Sequence, residues 1–176
     1  MTFPNATTDH SRYDLFAGSL SIERNSLDYK QYPISGRKQF LVAQYVTGTE
    51  KYMPSPITDM GSFDRKVHSW LQMKGEWEQY KTISPYFNLG FMSELVLSSK
   101  NLMNNYTASV LQAPAFTPTP HSQIVFNEAF RANQYVAFGL SPILKFSKLL
   151  HFRLDMYGFA PLYEIKKEEV WNNNTY

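Results

Sequence analysis

The segment from residue 148 to residue 158 alternates between apolar and polar side chains, and this pattern constrains the fold more than any other. Its alternating residues fall into an apolar set and a polar set, namely Leu150, Phe152, Leu154 and Met156 against His151, Arg153, Asp155 and Tyr157. Successive side chains of a β-strand point to opposite faces, so the pattern predicts a strand with one apolar and one charged face. Such a strand separates two surroundings, either a protein core from water or lipid from a watery lumen.

Five earlier segments also read as strands, at about residues 12–24, 38–48, 66–81, 86–98 and 131–144. Alternation with period two is clear in most of them, whereas the faces of 38–48 are left unassigned and the register of 131–144 is loose near Pro142. The sequence therefore predicts an all-β fold, an antiparallel up-and-down meander of about six long strands that forms part of a transmembrane β-barrel.

Composition narrows the class of protein. Aromatic residues make up 16% of the 176 residues, which favours strands, and the net charge of +2 is too weak to indicate a nucleic-acid partner. Cysteine is absent, which excludes disulfides and thiol chemistry. No apolar run reaches the roughly 20 residues of a membrane helix. The first residues also lack the basic and apolar regions of a signal peptide.

The connections between the predicted strands are unequal, and this inequality favours a membrane barrel. Strands one and two, three and four, and five and six are joined by short turns, whereas about residues 49–65 and 99–130 form long connections. Short turns at one end and long loops at the other are typical of outer-membrane barrels. Soluble strands usually have about 5–6 residues, and these are longer. Aromatic residues also lie near the strand ends, where a membrane interface would be.

The alternation assigns side chains to two sides of the predicted barrel wall. Polar residues are predicted to face a lumen, namely His68, Lys74, Glu76, Glu94, His151, Arg153 and Asp155. Apolar residues are predicted to face lipid, namely Leu71, Met73, Phe87, Leu89, Phe91, Val136, Phe138, Leu150, Phe152, Leu154 and Met156. Arg153 with Asp155, and with Glu76 or Glu94 of nearby strands, is expected to form a salt-bridge ladder.

No catalytic, cofactor-binding or metal-binding motif is found in the sequence. There is no Gly-x-Ser-x-Gly elbow, no phosphate-binding glycine loop and no His-Glu-x-x-His pair, so no catalytic, cofactor or metal residue is assigned. Two other hypotheses stay open. One is a soluble β-barrel that binds an apolar ligand, with Leu150, Phe152 and Leu154 pointing inward. The other is a barrel hydrolase that uses His121 and Ser122, although adjacent residues rarely form such a dyad.

The long connection contains a proline-rich stretch with two possible placements. Residues 104–122 include three prolines within seven residues, Pro114, Pro118 and Pro120, which impose an extended and semi-rigid path. The stretch is apolar enough to fold inward as a plug or constriction of the lumen. It could equally form an ordered surface loop.

Several of these segments resemble one protein family. Residues 104–122 followed by 126–134, and residues 150–153 with 157–161, resemble the carboxy-terminal barrel of patatin-like phospholipases from Bacteroidetes. The Tyr-Pro-Ile-Ser-Gly stretch at 32–36 resembles the periplasmic turn of the wider Omp85-like (surface-antigen) barrel superfamily. The resemblance covers about residues 12–165.

The resemblance implies a role that lies partly outside this chain. In that family, a signal peptide, a patatin hydrolase with a Ser–Asp dyad and a small periplasmic domain precede a 16-stranded barrel. None of the hydrolase motif residues is present here, so the resemblance implies an internal barrel fragment, residues 1–176, truncated at both ends. It anchors or displays a lipid acyl hydrolase in the bacterial outer membrane. The implied partners are outer-membrane lipid, the remaining polypeptide and the outer-membrane assembly machinery, without cofactors.

Overall fold

The computed structural model describes residues 10–53, 64–100, 106–147 and 150–163, which are almost entirely β-strand. The strands are β1 (His10–Asn25), β2 (Gly36–Met53), β3 (Asp64–Ser84), β4 (Phe87–Ser98), β5 (Gln134–Lys145), β6 (His151–Arg153) and β7 (Met156–Tyr163). Between β4 and β5 lie one helix, α1 (Tyr106–Leu111), and a short 3-10 helix, Glu128–Phe130.

All seven strands belong to one antiparallel sheet in meander order. Each of β1 to β5 pairs with the next strand along the chain, and both β6 and β7 pair with β5. The predicted all-β meander is therefore confirmed. The sheet is not closed, because among the described residues β1 and β7 are not paired with each other.

The predicted sixth strand is divided into two pieces, which the sequence pattern does not show. Ile143 pairs with Arg153 and Leu140 pairs with Met156, so β6 and β7 continue in one register. The interruption lies opposite Pro142, which has no N–H to donate. Leu154 N–H still donates to the Pro142 carbonyl at 3.1 Å, so the chain keeps its course along β5.

Strands β2 and β3 are longer than predicted. They contain 18 and 21 residues, and their pairing runs without a shift from Gly36 opposite Tyr80 to Tyr52 opposite Asp64. The predicted long connection at 49–65 is therefore too long at both ends. Its remaining part, residues 54–63, lies outside the described residues.

The two faces of the sheet differ in chemistry. One face carries Lys38, Lys74, Glu76, Glu94 and Tyr135, and we call it the polar face. The other carries large apolar side chains that are exposed, and we call it the apolar face. Pairing also assigns the faces of β2, which the sequence left open. Val46 lies opposite Trp70 and both are buried on the polar face, so Leu41 and Tyr45 belong to the apolar face.

Glycines let aromatic rings lie flat against neighbouring strands. The Tyr80 ring lies over Gly90 on the polar face, where a Cβ would overlap it. Phe138 lies in the same way over Gly158 on the apolar face. Gly36 begins β2 with a φ of 105°, a left-handed conformation that glycine adopts without strain. These contacts fix the positions of side chains that matter below, above all Tyr80.

No helix among the described residues has the length and apolar character needed to cross a membrane.

Candidate functional site

A row of ion pairs crosses the polar face from β2 to β5. Glu76 accepts from Lys38 Nζ at 2.8 Å and from Lys74 Nζ at 2.9 Å, and Lys74 Nζ also lies 3.1 Å from Glu94 Oε1. The Tyr135 hydroxyl donates to the same Glu94 oxygen. Each charge therefore has an opposite charge or a hydroxyl beside it, which is what a weakly solvated surface requires.

Arg153 of β6 is the centre of a second network. Its guanidinium donates to Asp155 at 2.7 Å, to the Tyr80 hydroxyl at 2.9 Å and to the Ser141 hydroxyl at 3.3 Å. It also donates to the carbonyl of Pro33 at 2.8 Å, although Pro33 lies in the turn between β1 and β2. This turn must therefore fold across the polar face to reach a strand at the far side of the sheet.

The predicted salt-bridge ladder is right for the pair of Arg153 with Asp155. It is wrong for Glu76 and Glu94, which do not pair with Arg153. Arg153 pairs with Asp155, as expected from their spacing of two. Glu76 and Glu94 pair with Lys38 and Lys74 instead. The reason is register: β2 and β4 both lie directly beside β3, so Lys38 and Glu94 meet the side chains of Lys74 and Glu76 first.

A third polar cluster lies near the opposite end of the sheet. His68 Nε2 is 2.7 Å from Glu50 Oε2, and the Tyr13 hydroxyl donates to Glu50 Oε1 at 3.1 Å. Glu50 and His68 are both buried. His68 therefore lies on the polar face, as predicted, and pairs with the carboxylate of Glu50. This pair is separate from the ion-pair row.

Lys100 follows β4 and lies against an aromatic ring. Its Nζ is 5.2 Å from the centre of the Trp70 ring and has no hydrogen-bond partner among the described residues. Burial lowers the pKa of Lys100 to about 8, because a charged amine is poorly solvated there.

The described part of the long connection between β4 and β5, residues 106–133, folds onto the polar face. Phe116 is 3% exposed and contacts Tyr135, Tyr157 and Phe159, with its ring stacked 6.1 Å from Phe159. Arg131 holds the segment in shape by donating to the carbonyls of Leu111 and Ala113, both at 3.0 Å. The stretch around Phe116 therefore packs against the sheet, and its role as a plug or constriction of a lumen stays a prediction.

A cavity of about 270 Å³ lies between this connection and the sheet. The sheet contributes the ion-pair row to its wall. Lys30 and Tyr32 of the turn between β1 and β2 line one side, and Thr117 and Pro118 of the long connection line another. The cavity thus combines charged, hydroxyl and amide groups, with Met92 as an apolar part of the lining.

The side chains predicted to face lipid lie on the apolar face. Most are exposed large side chains, for example Leu71, Phe138 and Phe152. Phe87 and Leu89 point to the same face but are only partly exposed. Leu150 precedes β6 and is 62% exposed. Whether lipid covers this face stays a prediction.

Two of the sequence assignments do not join the polar networks. His151 is exposed at the end of β6, where it pairs in register with Lys145. Ser122 donates its hydroxyl to the Thr119 carbonyl at 2.7 Å, and His121 beside it is exposed. The Ser122 proton is therefore directed into a tight turn rather than toward an imidazole.

Several important polar contacts were not predicted from the sequence. Lys38, Tyr80 and Tyr135 each complete a polar network, and Glu50 pairs with His68. Alternation placed these residues in or near strands, but their partners depend on the register between strands, which a single sequence does not contain.

In the part of the chain that the structure describes, no group of three or more His, Cys, Asp or Glu side chains is arranged to hold a metal ion. Comparison of the chain with protein-family models, with curated proteins and with solved structures finds no match in any of the three. The resemblance to patatin-like phospholipase barrels therefore stays a prediction.

Proposed function

We propose that this chain forms part of the wall of an outer-membrane β-barrel, with its apolar face toward lipid and its polar face toward a lumen. The observation that carries the proposal is the distribution of exposure between the two faces. Leu20 is 74% exposed and Phe138 is 55% exposed, whereas Glu94 is 5% exposed and Glu50 is fully buried. A soluble sheet would bury the apolar face against a core, and a membrane strand exposes it.

Strand length supports the same proposal. Strands β1, β2 and β3 contain 16, 18 and 21 residues. About 9–11 residues of a tilted strand suffice to cross the apolar part of a bilayer, so these strands cross it and extend beyond it. The open edges of β1 and β7 would be paired with further strands, because lipid does not satisfy unpaired backbone groups.

The soluble-barrel alternative needs an apolar interior lined by Leu150, Phe152 and Leu154. These side chains are exposed on the apolar face, so the described residues provide no such interior. The polar face is the covered one, and its cavity is lined mainly by charged and hydroxyl groups.

The experiment that tests the proposal compares two arginine substitutions in the complete protein, expressed in a bacterial host. Leu95 of β4 lies on the apolar face, opposite Val136 and Gly75 near the middle of the sheet. Leu95→Arg is expected to cost about 2–4 kcal/mol, the cost of arginine at the bilayer midplane. Gln44→Arg is the control, since Gln44 lies in the middle of β2 on the polar face.

The readout is the amount of protein that sediments with the outer membrane, resists extraction by carbonate and dissolves in detergent. The parent protein and Gln44→Arg are expected to remain in the membrane, and Leu95→Arg to be depleted. A parent protein that is monodisperse in plain buffer without detergent would contradict the proposal.

We further propose that the barrel anchors or displays an attached patatin-like lipid acyl hydrolase. This part rests on the resemblance of residues 104–134 and 150–161 to patatin-like phospholipase barrels, and no described residue performs the hydrolysis. The test is to read the coding sequence that flanks this chain for a Gly-x-Ser-x-Gly motif. The serine found there is then replaced by alanine, and release of fatty acid from phospholipid is measured. A flanking sequence without such a motif contradicts this part and leaves the barrel proposal intact.

A further inference from the structure

Two segments that enter from opposite ends of the sheet cover the cavity on the polar face. The turn between β1 and β2, residues 26–35, lies at the end where β3 joins β4 and β5 joins β6. The long connection between β4 and β5 lies at the other end. Both contribute to the lining, the turn through Tyr32 and the long connection through Thr117.

The turn is held over the polar face by side chains of distant strands. Arg153 Nη1 donates to the Pro33 carbonyl at 2.8 Å, and Asn88 Nδ2 donates to the Ile34 carbonyl at 2.7 Å. The Arg153 guanidinium also lies 5.7 Å from the centre of the Tyr32 ring. Tyr32 has a φ of 53°, a left-handed conformation that is unfavourable for a bulky residue and persists only where contacts enforce it.

The long connection is held mainly by the aromatic ring of Phe116, and Phe130 adds a further ring contact with Phe159 at 5.7 Å. Phe116 inserts among Tyr135, Tyr157 and Phe159 and belongs to the same buried cluster as Val96. The segment beyond Phe116 includes Ile124, which is 82% exposed. Loss of the Phe116 ring removes three of the four aromatic contacts between the described part of the connection and the sheet, so we expect the connection to open more often while the strands stay paired.

From this arrangement we infer that the barrel wall encloses a passage for small polar solutes and inorganic ions, closed at one end by the turn and at the other by the long connection. The inference rests on the proposed function, because a passage requires the polar face to line a lumen. The lining suits hydrated solutes of either charge. Its charged groups are of both signs and leave a net charge of +1, from the four cations of Lys30, Lys38, Lys74 and Arg153 and the three carboxylates of Glu76, Glu78 and Glu94. Its volume of about 270 Å³ has room for several waters, each of which takes roughly 30 Å³.

The experiment uses the absence of cysteine from the chain. Met92 lines the cavity, so Met92→Cys places one thiol inside it. The complete protein is reconstituted in phospholipid vesicles and treated with a membrane-impermeant maleimide on either side. In the otherwise unchanged protein, the thiol is expected to react slowly from both sides, because each end is covered.

A variant that opens only one end of the passage should speed labelling of the thiol from that side and not from the other. Phe116→Ser is expected to accelerate labelling from the side of the long connection by at least about tenfold, since loss of a buried Phe shifts a local opening equilibrium by that factor or more. Ile124→Ser, an exposed position of the same segment, is the control and should leave the rate unchanged. Arg153→Met is expected to accelerate labelling from the opposite side. If the Arg153→Met protein does not assemble, Asn88→Ala is used instead, because it removes another hydrogen bond that holds the same turn.

The combined Phe116→Ser and Arg153→Met protein should also conduct ions in planar bilayers, whereas either single variant should conduct far less. Rapid labelling of Met92→Cys from both sides in the unchanged background would overturn the inference while leaving the barrel intact. Slow labelling in every variant of a protein that co-floats with vesicles would overturn it as well. A protein that does not co-float with vesicles contradicts the barrel proposal instead.

Discussion

At the scale of single residues, the ion-pair row across the polar face depends most on Lys74. This amine lies between two carboxylates, Glu76 and Glu94, and only 24% of its side chain is exposed. Lys74→Met leaves those carboxylates facing each other, and we expect it to lower the free energy of unfolding by about 2 kcal/mol, below the range for a fully buried pair. Denaturation of the detergent-solubilised protein measures the change.

Lys51→Met is the matched control for this prediction. Lys51 Nζ lies 3.9 Å from Asp14 in an exposed pair, and such pairs contribute at most about 1 kcal/mol. Equal losses for the two variants would show that the row is no more important than a solvated surface pair. Adding Glu94→Gln to Lys74→Met should restore part of the lost stability, because one of the uncompensated charges is then removed.

Gly90 provides a second test at this scale. A Cβ at Gly90 would overlap the Tyr80 ring, and Tyr80 in turn accepts a hydrogen bond from Arg153. We expect Gly90→Ala to cost about 1–3 kcal/mol through forced repacking. Gly18→Ala is the control, because nothing lies within 4 Å of a Cβ there. Removing a strand glycine at that open position should stabilise by about 0.5–1 kcal/mol, so the two alanines should change the unfolding midpoint in opposite directions.

The residue scale also shows where the sequence stops being informative. Alternation correctly placed Lys74 and Glu76 on the polar side of β3 and Glu94 on the polar side of β4, since the side of each residue within its own strand follows period two. It did not identify Lys38 or Tyr135 as their partners, because those contacts are set by the cross-strand register. The partner of a side chain on a neighbouring strand can be named only when the register between the two strands is known.

At the scale of the elements, the long connection between β4 and β5 is expected to detach without unfolding the sheet. Phe116→Ala removes its anchor among Tyr135, Tyr157 and Phe159. Limited chymotrypsin digestion should then cleave the exposed stretch at Phe126 several-fold faster, because the segment opens locally. Ile124→Ala changes an exposed side chain of the same segment and should leave the cleavage rate unchanged.

If Phe116→Ala instead lowers the denaturation midpoint of the whole protein and leaves cleavage at Phe126 unchanged, the connection is part of the global fold rather than a separately docked element. Its inward placement could not be decided from sequence. Prolines 114, 118 and 120 restrict the path of the chain, but a proline-rich stretch is equally compatible with a surface loop. The burial of Phe116 shows that the stretch packs against the sheet.

The positions of the strands were predictable, but the faces of β2 and the division of the sixth predicted strand into β6 and β7 were not. The order of the strands follows from short turns, which place consecutive strands side by side. The break between β6 and β7 was not predictable from the pattern of residues 148–158. It arises from Pro142 on the neighbouring strand, which removes one donor from the ladder opposite Leu154.

At the scale of the whole molecule, the orientation of the sheet can be read with two tryptophans. Trp77 lies on the apolar face with 40% of its surface exposed, and Trp70 lies on the polar face and is buried. In vesicles of phospholipid with brominated acyl chains, contact with lipid quenches indole fluorescence. A protein whose other tryptophans are replaced by phenylalanine, leaving Trp77, should be strongly quenched, because its ring would lie at the lipid surface of the wall.

The matched protein that keeps only Trp70 should retain most of its fluorescence, because its ring packs against Val46 and lies beneath Lys100 on the other face. Aqueous iodide provides the complementary measurement and should quench Trp77 weakly once the protein is in vesicles. Stronger bromine quenching of Trp70 than of Trp77 would reverse the proposed orientation of the wall. Equal and weak bromine quenching of both, with strong iodide quenching of Trp77, would mean that the apolar face is in contact with water, as it cannot be in a barrel wall that lipid surrounds.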